Sequence, residues 1–292
     1  MLAYDRAGSG EPLLLIHGIG HRRQAWAPVV DRLAEEYDVI AVDLPGHGES
    51  PAPTDPSIPV KDGIRMAFEE LFEELGIGAP HVVGNSLGGL IALEMAVDGL
   101  ACSVTALSPA GFWAGPRDFA YVRAVFGTVL TAARLARPVA PRLLGTRAGR
   151  AAMLGWLHTH PSRVDAELAR GDYAHMLAAR PAIDALFASA YAFEAPVEPV
   201  VPITVAWSSR DVVLLPYQAR RARQLLPSAE HVWLHGCGHV PMPDDPELVA
   251  ATIIDTARAG DYRPVGVVTP AEAGPAAAST AGRRSPTPSR PG

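Results

Sequence analysis

Val82-Val83-Gly84-Asn85-Ser86-Leu87-Gly88-Gly89 decides how this chain is read. Two β-branched residues lead into Gly-x-Ser-x-Gly, and an apolar helical pattern follows from Leu87 to Val97. The pattern predicts a strand, a sharp turn and a helix, with Ser86 at the apex. Glycines at 84 and 88 suit a serine held in a strained backbone conformation, because neighbours without a Cβ cannot clash with it. A helix starting just after Ser86 points free N–H groups and a positive dipole end at whatever lies beside the hydroxyl. Alone, the motif has a bland alternative: a tight strand-to-helix turn with a passive serine.

The segments before it alternate between strands and helices. Leu2 to Ala7 predicts a short strand, ended by Gly8-Ser9-Gly10. Leu13-Leu14-Leu15-Ile16 is a continuous apolar run, as expected of a strand buried on both faces of a parallel sheet, and it ends at His17-Gly18-Ile19-Gly20. A helix is predicted from Gln24 to Glu36, then a buried strand Val39-Ile40-Ala41-Val42, which ends at Asp43-Leu44-Pro45-Gly46-His47-Gly48-Glu49-Ser50. Ile64, Phe68, Leu71, Phe72 and Leu75 lie at helical spacing between Val60 and Leu75. After the Ser86 unit comes one more strand, Ser103 to Leu107. Such alternation implies a parallel sheet with helices on both faces.

The rhythm then breaks. From Phe112 to Glu198 no convincing strand is found, and the stretch predicts several short helices punctuated by Pro138, Pro141, Pro161 and Pro181. Strands resume at Ile203-Thr204-Val205-Ala206-Trp207, followed by Ser208-Ser209-Arg210-Asp211, and at His231-Val232-Trp233-Leu234, followed by Gly236-Cys237-Gly238-His239. Asp245-Pro246 starts a last helix. The expected organisation is a first core part over 1–111, a helical insertion over 112–198, a second core part over 199–260 and a tail over 261–292. The tail is Pro-, Ala-, Ser-, Thr- and Gly-rich from Pro264 onward and is expected to be disordered.

Composition sets bounds. The 292 residues are 48% hydrophobic, enough for a sizeable core, and the net charge is −6. No basic block lies in the expected folded part, so nucleic acid is not an expected partner. Lys61 is the only lysine. Cys102 and Cys237 make no disulfide framework. No uninterrupted apolar run approaches a membrane span, and the N-terminus lacks the pattern of a signal peptide. The expectation is a cytoplasmic protein acting on a small molecule, with no membrane partner; the sequence does not speak to oligomeric state.

The residues with chemical potential fall at the C-terminal ends of predicted strands: His17-Gly18, Ser86, Asp211 and His239. In an open parallel sheet that edge is where ligands bind. Ser86 is a poor nucleophile at neutral pH and needs a base within reach. His239, flanked by Gly238 just past the last strand, is the candidate. Its imidazole needs a carboxylate to set the tautomer and stabilise the imidazolium, and Asp211 is placed to supply it. A tetrahedral oxyanion needs donors, for which the backbone N–H groups of Leu87 and Ile19 are the candidates; losing one such donor typically costs ~10²–10³-fold in rate. No metal site and no cofactor are expected.

These motifs, in this order, resemble those of capped serine hydrolases of the α/β-hydrolase superfamily, of the esterase and lipase kind. The resemblance covers residues 2–260 and includes the Ser, Asp, His order, Asp43 to Ser50, Arg210-Asp211 and Gly236 to Pro241. It implies a mostly parallel, doubly wound sheet with a helical cap inserted between the sixth and seventh core strands. It also implies cofactor-free cleavage of a small, largely apolar ester or lactone through an acyl-enzyme. Gly84-Asn85-Ser86-x-Gly-Gly is also similar to the elbow of hydrolases that cut carbon–carbon bonds in ring-cleavage diketones. Those usually carry a Gly-Pro-Gly-like oxyanion loop and a tryptophan after the histidine, where this chain has Gly18-Ile19-Gly20 and Val240. Epoxide and haloalkane hydrolases use an aspartate where Ser86 stands. A third reading is a non-catalytic ligand receptor on the same scaffold. His17, His47 and Asp43 are expected to brace loops. His21, Arg22 and Arg23 are candidates for contact with an anionic substrate. Phe112, Trp113, Phe126, Trp156, Phe187 and Tyr191 are candidates to line the pocket.

Overall fold

A computed structural model describes residues 1–53, 55, 57–189, 191–194 and 199–261. Seven strands form one sheet: β1 (Tyr4–Gly8), β2 (Pro12–Ile16), β3 (Asp38–Val42), β4 (His81–Asn85), β5 (Ser103–Leu107), β6 (Ile203–Ser208) and β7 (Glu230–Leu234). Their order is β1-β3-β2-β4-β5-β6-β7. Only β1 runs antiparallel, pairing Tyr4 with Val42 and Gly8 with Asp38. Residues of β2, β3, β4 and β5 are buried on both faces almost without exception, which explains the unbroken apolar runs Leu13–Ile16 in β2 and Val39–Val42 in β3.

The order contains a reversal. From β2 the chain crosses to β3 on one side, then returns past β2 to β4 and builds outward through β7. Right-handed crossovers made in opposite directions put their helices on opposite faces of the sheet. A crevice therefore opens between the carboxyl ends of β2 and β4, where the two directions part. The Gly18 loop and Ser86 leave the sheet at these two strand ends.

The crossover elements are α1 (Ala27–Leu33), α2 (Val60–Leu75), α3 (Leu87–Val97), α9 (Gln218–Leu225) and α10 (Pro246–Asp261). The helix expected over Gln24–Glu36 is instead a 3-10 turn, Arg23–Trp26, running into the shorter α1. Pro28 sits in the first turn of α1, the position where its missing N–H costs nothing. Helix α3 is apolar apart from Glu94 and buried from Gly88 to Leu93, as a central helix must be.

Between β5 and β6 lie α4 (Pro116–Ala136), α5 (Ala140–Leu144), α6 (Arg147–Leu154), α7 (Ala166–Ala178) and α8 (Arg180–Ala188). They join the fifth and sixth strands of this sheet, not the sixth and seventh as expected. The reason is that a single strand, β1, precedes β2 here. Two small clusters separate from the main core hold these helices together, one around Ala140, Leu144, Val164 and Tyr173, the other around Leu130 and Ile183. At 21 residues, α4 is by length and composition long and apolar enough to cross a membrane, although the sequence holds no uninterrupted apolar run of that length. Its scattered arginines hide it from a search for unbroken apolar sequence. It packs on its neighbours through Val122, Phe126, Leu130 and Ala133. Beyond Asp261, the expected tail lies outside the described residues.

Candidate active site

Ser86 follows β4 directly and is the residue before α3, with φ 57° and ψ −114°. Positive φ in a non-glycine residue costs of order ~1–3 kcal/mol and persists only where the surroundings over-determine it. Here they do. The Ser86 N–H donates to Leu107 O at 3.0 Å, and the Ser86 carbonyl accepts from Leu90 N and Ala110 N. The flanking glycines permit the packing. A Cβ on Gly84 would fall 2.0 Å from Gly88 O, and one on Gly88 would fall 2.1 Å from Ile16 O. A Cβ on Gly18 would meet the Ser86 Cβ at 3.1 Å, so the loop after β2 lies directly against the serine.

His239 and Asp211 come from the loops after β7 and β6. His239 Nδ1 lies 2.7 Å from Asp211 Oδ2, both residues being buried. The other carboxylate oxygen, Oδ1, accepts the N–H groups of Val213 and Leu214, each at 2.8 Å. Asp211 is thus held rigidly and presents one oxygen to the ring. The ring must carry its proton on Nδ1, which leaves the lone pair on Nε2. Ser86, Asp211 and His239 all stand at the carboxyl edge of the sheet.

The loop from His17 to Gly20 is braced by two histidines. The Leu44 N–H donates to His17 Nε2 at 3.0 Å, and the Gly20 N–H to His47 Nε2 at 3.1 Å. Each ring uses its other nitrogen on a carbonyl, Gly18 O for His17 and Pro45 O for His47. Both rings are therefore neutral. Burial lowers the His17 pKa well below its usual range and takes His47 down to about 4. His21 falls to about 3, through burial and then the neighbouring histidines. Asp43 holds the next turn, accepting from Arg23 N and Glu49 N. Among the described residues, no hydrogen bond within the protein takes the N–H of Ile19 or of Leu87.

Two cavities flank Ile19. One, about 70 Å³, is lined by Ser86, Leu87, Leu90, Trp113, Phe119 and Phe187 among others, and is overwhelmingly apolar. The other, about 280 Å³, runs under the inserted helices past His21, Phe126, Trp156, His158 and Tyr173. Phe126 lines both. Of the aromatic candidates, Phe112 lines neither; it is buried against Phe193 and Trp207. Lys61 closes the smaller cavity, paired with Glu94 at 2.7 Å, while the Tyr191 hydroxyl donates to the same carboxylate at 2.8 Å. Arg22 and Arg23 already have acidic partners: Asp172 for Arg22, and Asp5, Asp43 and Glu49 for Arg23. Burial pushes the Asp172 carboxyl up to about 6 against the pull of Arg22. Burial also pushes the Cys237 thiol up to about 12.

Two residues to which the sequence reading gave no role join the parts. Asn85 donates from Nδ2 to Leu107 O at 3.1 Å and to His239 O at 3.0 Å, tying the turn before Ser86 to the histidine loop. Asp244 accepts the N–H groups of Gly238, Thr159 and His160, at 2.8, 2.9 and 2.6 Å. The same loop exchanges two more bonds with the insertion: Val240 N donates to Leu157 O, and His158 Nδ1 donates to Val240 O. Their only advance signal was position, Asn85 beside Ser86 and Asp244 five residues after His239.

Comparison with known proteins agrees with this architecture. Residues 13–252 match the Alpha/beta hydrolase family. An uncharacterised protein of Mycobacterium tuberculosis is 30% identical over 288 residues, covering 89% of this chain and 80% of its own. A lipase of a Moraxella species is 26% identical over 246 residues, covering 80% of this chain and 73% of its own. Among solved structures, a bacterial membrane phospholipase A has the same fold, with a TM-score of 0.70 and 24% identity over 90% of this chain and 84% of that one. The sheet, the turn at Ser86 and this match place the chain in the α/β-hydrolase family.

Proposed function

We propose that the protein is a serine hydrolase of small, largely apolar carboxylic esters or lactones. The observation that carries this reading is the buried His239–Asp211 pair, which leaves a histidine lone pair free at the sheet edge where the strained Ser86 stands. Ser86 Oγ attacks the acyl carbon while His239 Nε2 takes its proton. The carbonyl oxygen becomes an oxyanion and is held by the unpaired N–H groups of Ile19 and Leu87. The C–O bond to the leaving group then breaks, and His239 returns the proton to the departing alkoxide. Water, deprotonated by the same nitrogen, attacks the acyl-enzyme and restores the Ser86 hydroxyl. Asp211 stabilises the imidazolium in both halves.

The apolar walls beside Ser86 favour an uncharged group on one side of the scissile bond. The paired state of Arg22, Arg23 and Lys61 leaves no cation there waiting for a carboxylate. The Moraxella relative being a lipase is in keeping with ester chemistry. The test is pre-steady-state hydrolysis of p-nitrophenyl esters of increasing chain length by the native protein and by Ser86→Ala. A burst followed by steady turnover, lost in the variant, is expected. A folded native protein that turns over no ester or lactone overturns the reading in favour of carbon–carbon bond cleavage or ligand reception.

A further inference from the structure

The stretch from Phe119 to Val164 contains seven arginines and not one aspartate or glutamate, although the whole chain has 31 acidic residues against 25 basic ones. Its outermost part is the joint between α4 and α5. There Leu135 is 77% exposed, Val139 48% and Leu143 43%. These are among the few large apolar side chains that the described surface leaves open. Val139 N donates to Ala136 O and Leu143 N to Val139 O, so the joint keeps a helical path. Val139 and Leu143, four residues apart, therefore share a side.

Arginines surround this apolar tip. Arg134, Arg137, Arg142 and Arg147 have no carboxylate partner among the described residues. Two shallow surface clefts adjoin the tip and share Arg137. One, about 260 Å³, also contains Arg134 and Arg180, which pairs with Asp184; the other, about 380 Å³, contains Arg170, which pairs with Glu167. A planar guanidinium fork suits bidentate contact with phosphate oxygens. Only 22% of the apolar window of α4 is buried inside the protein.

We propose that the α4–α5 tip docks on an anionic lipid surface, with Leu135, Val139 and Leu143 entering the interface and the arginines meeting lipid phosphates. Charge selects this occupant. A second copy placed symmetrically on the same patch would set arginine against arginine. In a zwitterionic bilayer each phosphate is already matched by a choline cation, whereas an anionic bilayer supplies unmatched phosphate charge above an apolar layer. The docking departs from the sequence expectation of no membrane partner and does not depend on the hydrolase reading. It would also place α4, through Ala132, Ala133 and Ala136 a wall of the larger cavity, against the lipid.

The test is co-sedimentation of the full chain with vesicles of ether-linked phosphatidylcholine, alone or with ether-linked phosphatidylglycerol. Ether lipids offer no ester to cleave, so binding is read apart from turnover. At 0.05 M salt the anionic vesicles are expected to hold at least tenfold more protein than the neutral ones, and 0.5 M salt should remove most of that excess by screening. Leu135→Ser/Val139→Ser/Leu143→Ser and Arg134→Glu/Arg137→Glu should each lower the partition at least tenfold with an unchanged melting temperature, since all five side chains project from the surface. Three results overturn the proposal: equal binding to neutral and anionic vesicles, native-like binding by the triple serine variant, or no vesicle binding together with a dimer that the triple variant dissolves. The salt and lipid arms need only the native protein, so the test stands even if a variant fails to fold.

Discussion

Asn85 shows what a single side chain does at this site. Its amide nitrogen donates both to the carbonyl ending β5 and to the carbonyl of His239, 154 residues from Asn85 in sequence. Removing it leaves the buried His239 carbonyl without its donor, worth ~1–3 kcal/mol in desolvation, while Leu107 O keeps the Ser86 N–H. It also frees the histidine to drift, and a displacement near 1 Å costs ~10²-fold in a rate. Asn85→Ala is therefore expected to lower kcat/KM for an activated ester by ~10–100-fold while the protein still folds with a melting temperature a few degrees lower; full activity would mean Asn85 does not position His239. The places of Ser86, Asp211 and His239 at strand ends on one sheet edge were legible in the sequence because each follows a recognisable strand and lies beside glycine or a turn. Asn85 and Asp244 were not, because a hydrogen bond across 154 or 85 residues leaves no trace in spacing. Arg22 and Arg23 misled for the same reason: their acidic partners, Asp5, Asp43, Glu49 and Asp172, are gathered from three segments, β1, the loop after β3 and α7.

Among the elements, the strands β2, β3 and β5 could be read almost to the residue, and in β2 and β3 burial on both faces writes itself as an unbroken apolar run. The helix after β2 was misjudged in length, because a 3-10 turn and the start of α1 share one apolar face. How closely α3 approaches β2 was not visible at all, yet it sets the geometry of the turn. Gly88→Ala would drive a methyl group into Ile16 O, a backbone atom with nowhere to move. Overpacking of this kind costs ~1–3 kcal/mol or more. A fall in melting temperature of ~5–10 °C is expected, at ~2–4 °C per kcal/mol for a domain of this size; an unshifted melt would mean that α3 slides freely. The loops after β2 and β3 carry a second element-scale consequence. His47 is neutral in the folded protein down to about pH 4, while an unfolded histidine takes a proton near pH 6.5. The unfolded chain thus binds more protons across that window, so stability is present above pH 6.5 and is lost as the pH falls toward 4. His47→Gln, which keeps an acceptor for the Gly20 N–H but cannot titrate, should flatten the fall in unfolding free energy between pH 6 and 5 by about 1 kcal/mol per pH unit. Urea titrations of both proteins at several pH values measure it, and identical slopes would refute the buried, neutral His47.

At the scale of the molecule, the inserted helices and the sheet are joined through the loop that carries His239. Asp244, 2% exposed, collects the Gly238 N–H from the His239 loop and the Thr159 and His160 N–H groups from the insertion. Gly238 has to be glycine there, because a Cβ would fall 2.6 Å from Leu157 O. Anything that loosens the insertion is therefore felt at His239, and a ligand that orders His239 also holds the insertion. Asp244→Ala removes the two oxygens that accept three N–H groups. At ~1–3 kcal/mol for each buried amide left unpaired, partly relieved by water, the loss is expected to be about 3 kcal/mol, or a melting temperature ~6–12 °C lower. The loss should not be spread evenly, because local openings follow the weakest cooperative unit. Limited proteolysis of the variant is expected to cut first between residues 112 and 189, with the sheet still intact by circular dichroism, and ester turnover should fall together with that cutting. Asp245→Ala is the control: its carboxylate caps only the exposed start of α10 through Leu248 N, so it should lower the melt slightly and leave the insertion uncut. Equal cutting of the two variants would show that the insertion is held by its apolar contacts alone and that Asp244 does not couple it to the histidine.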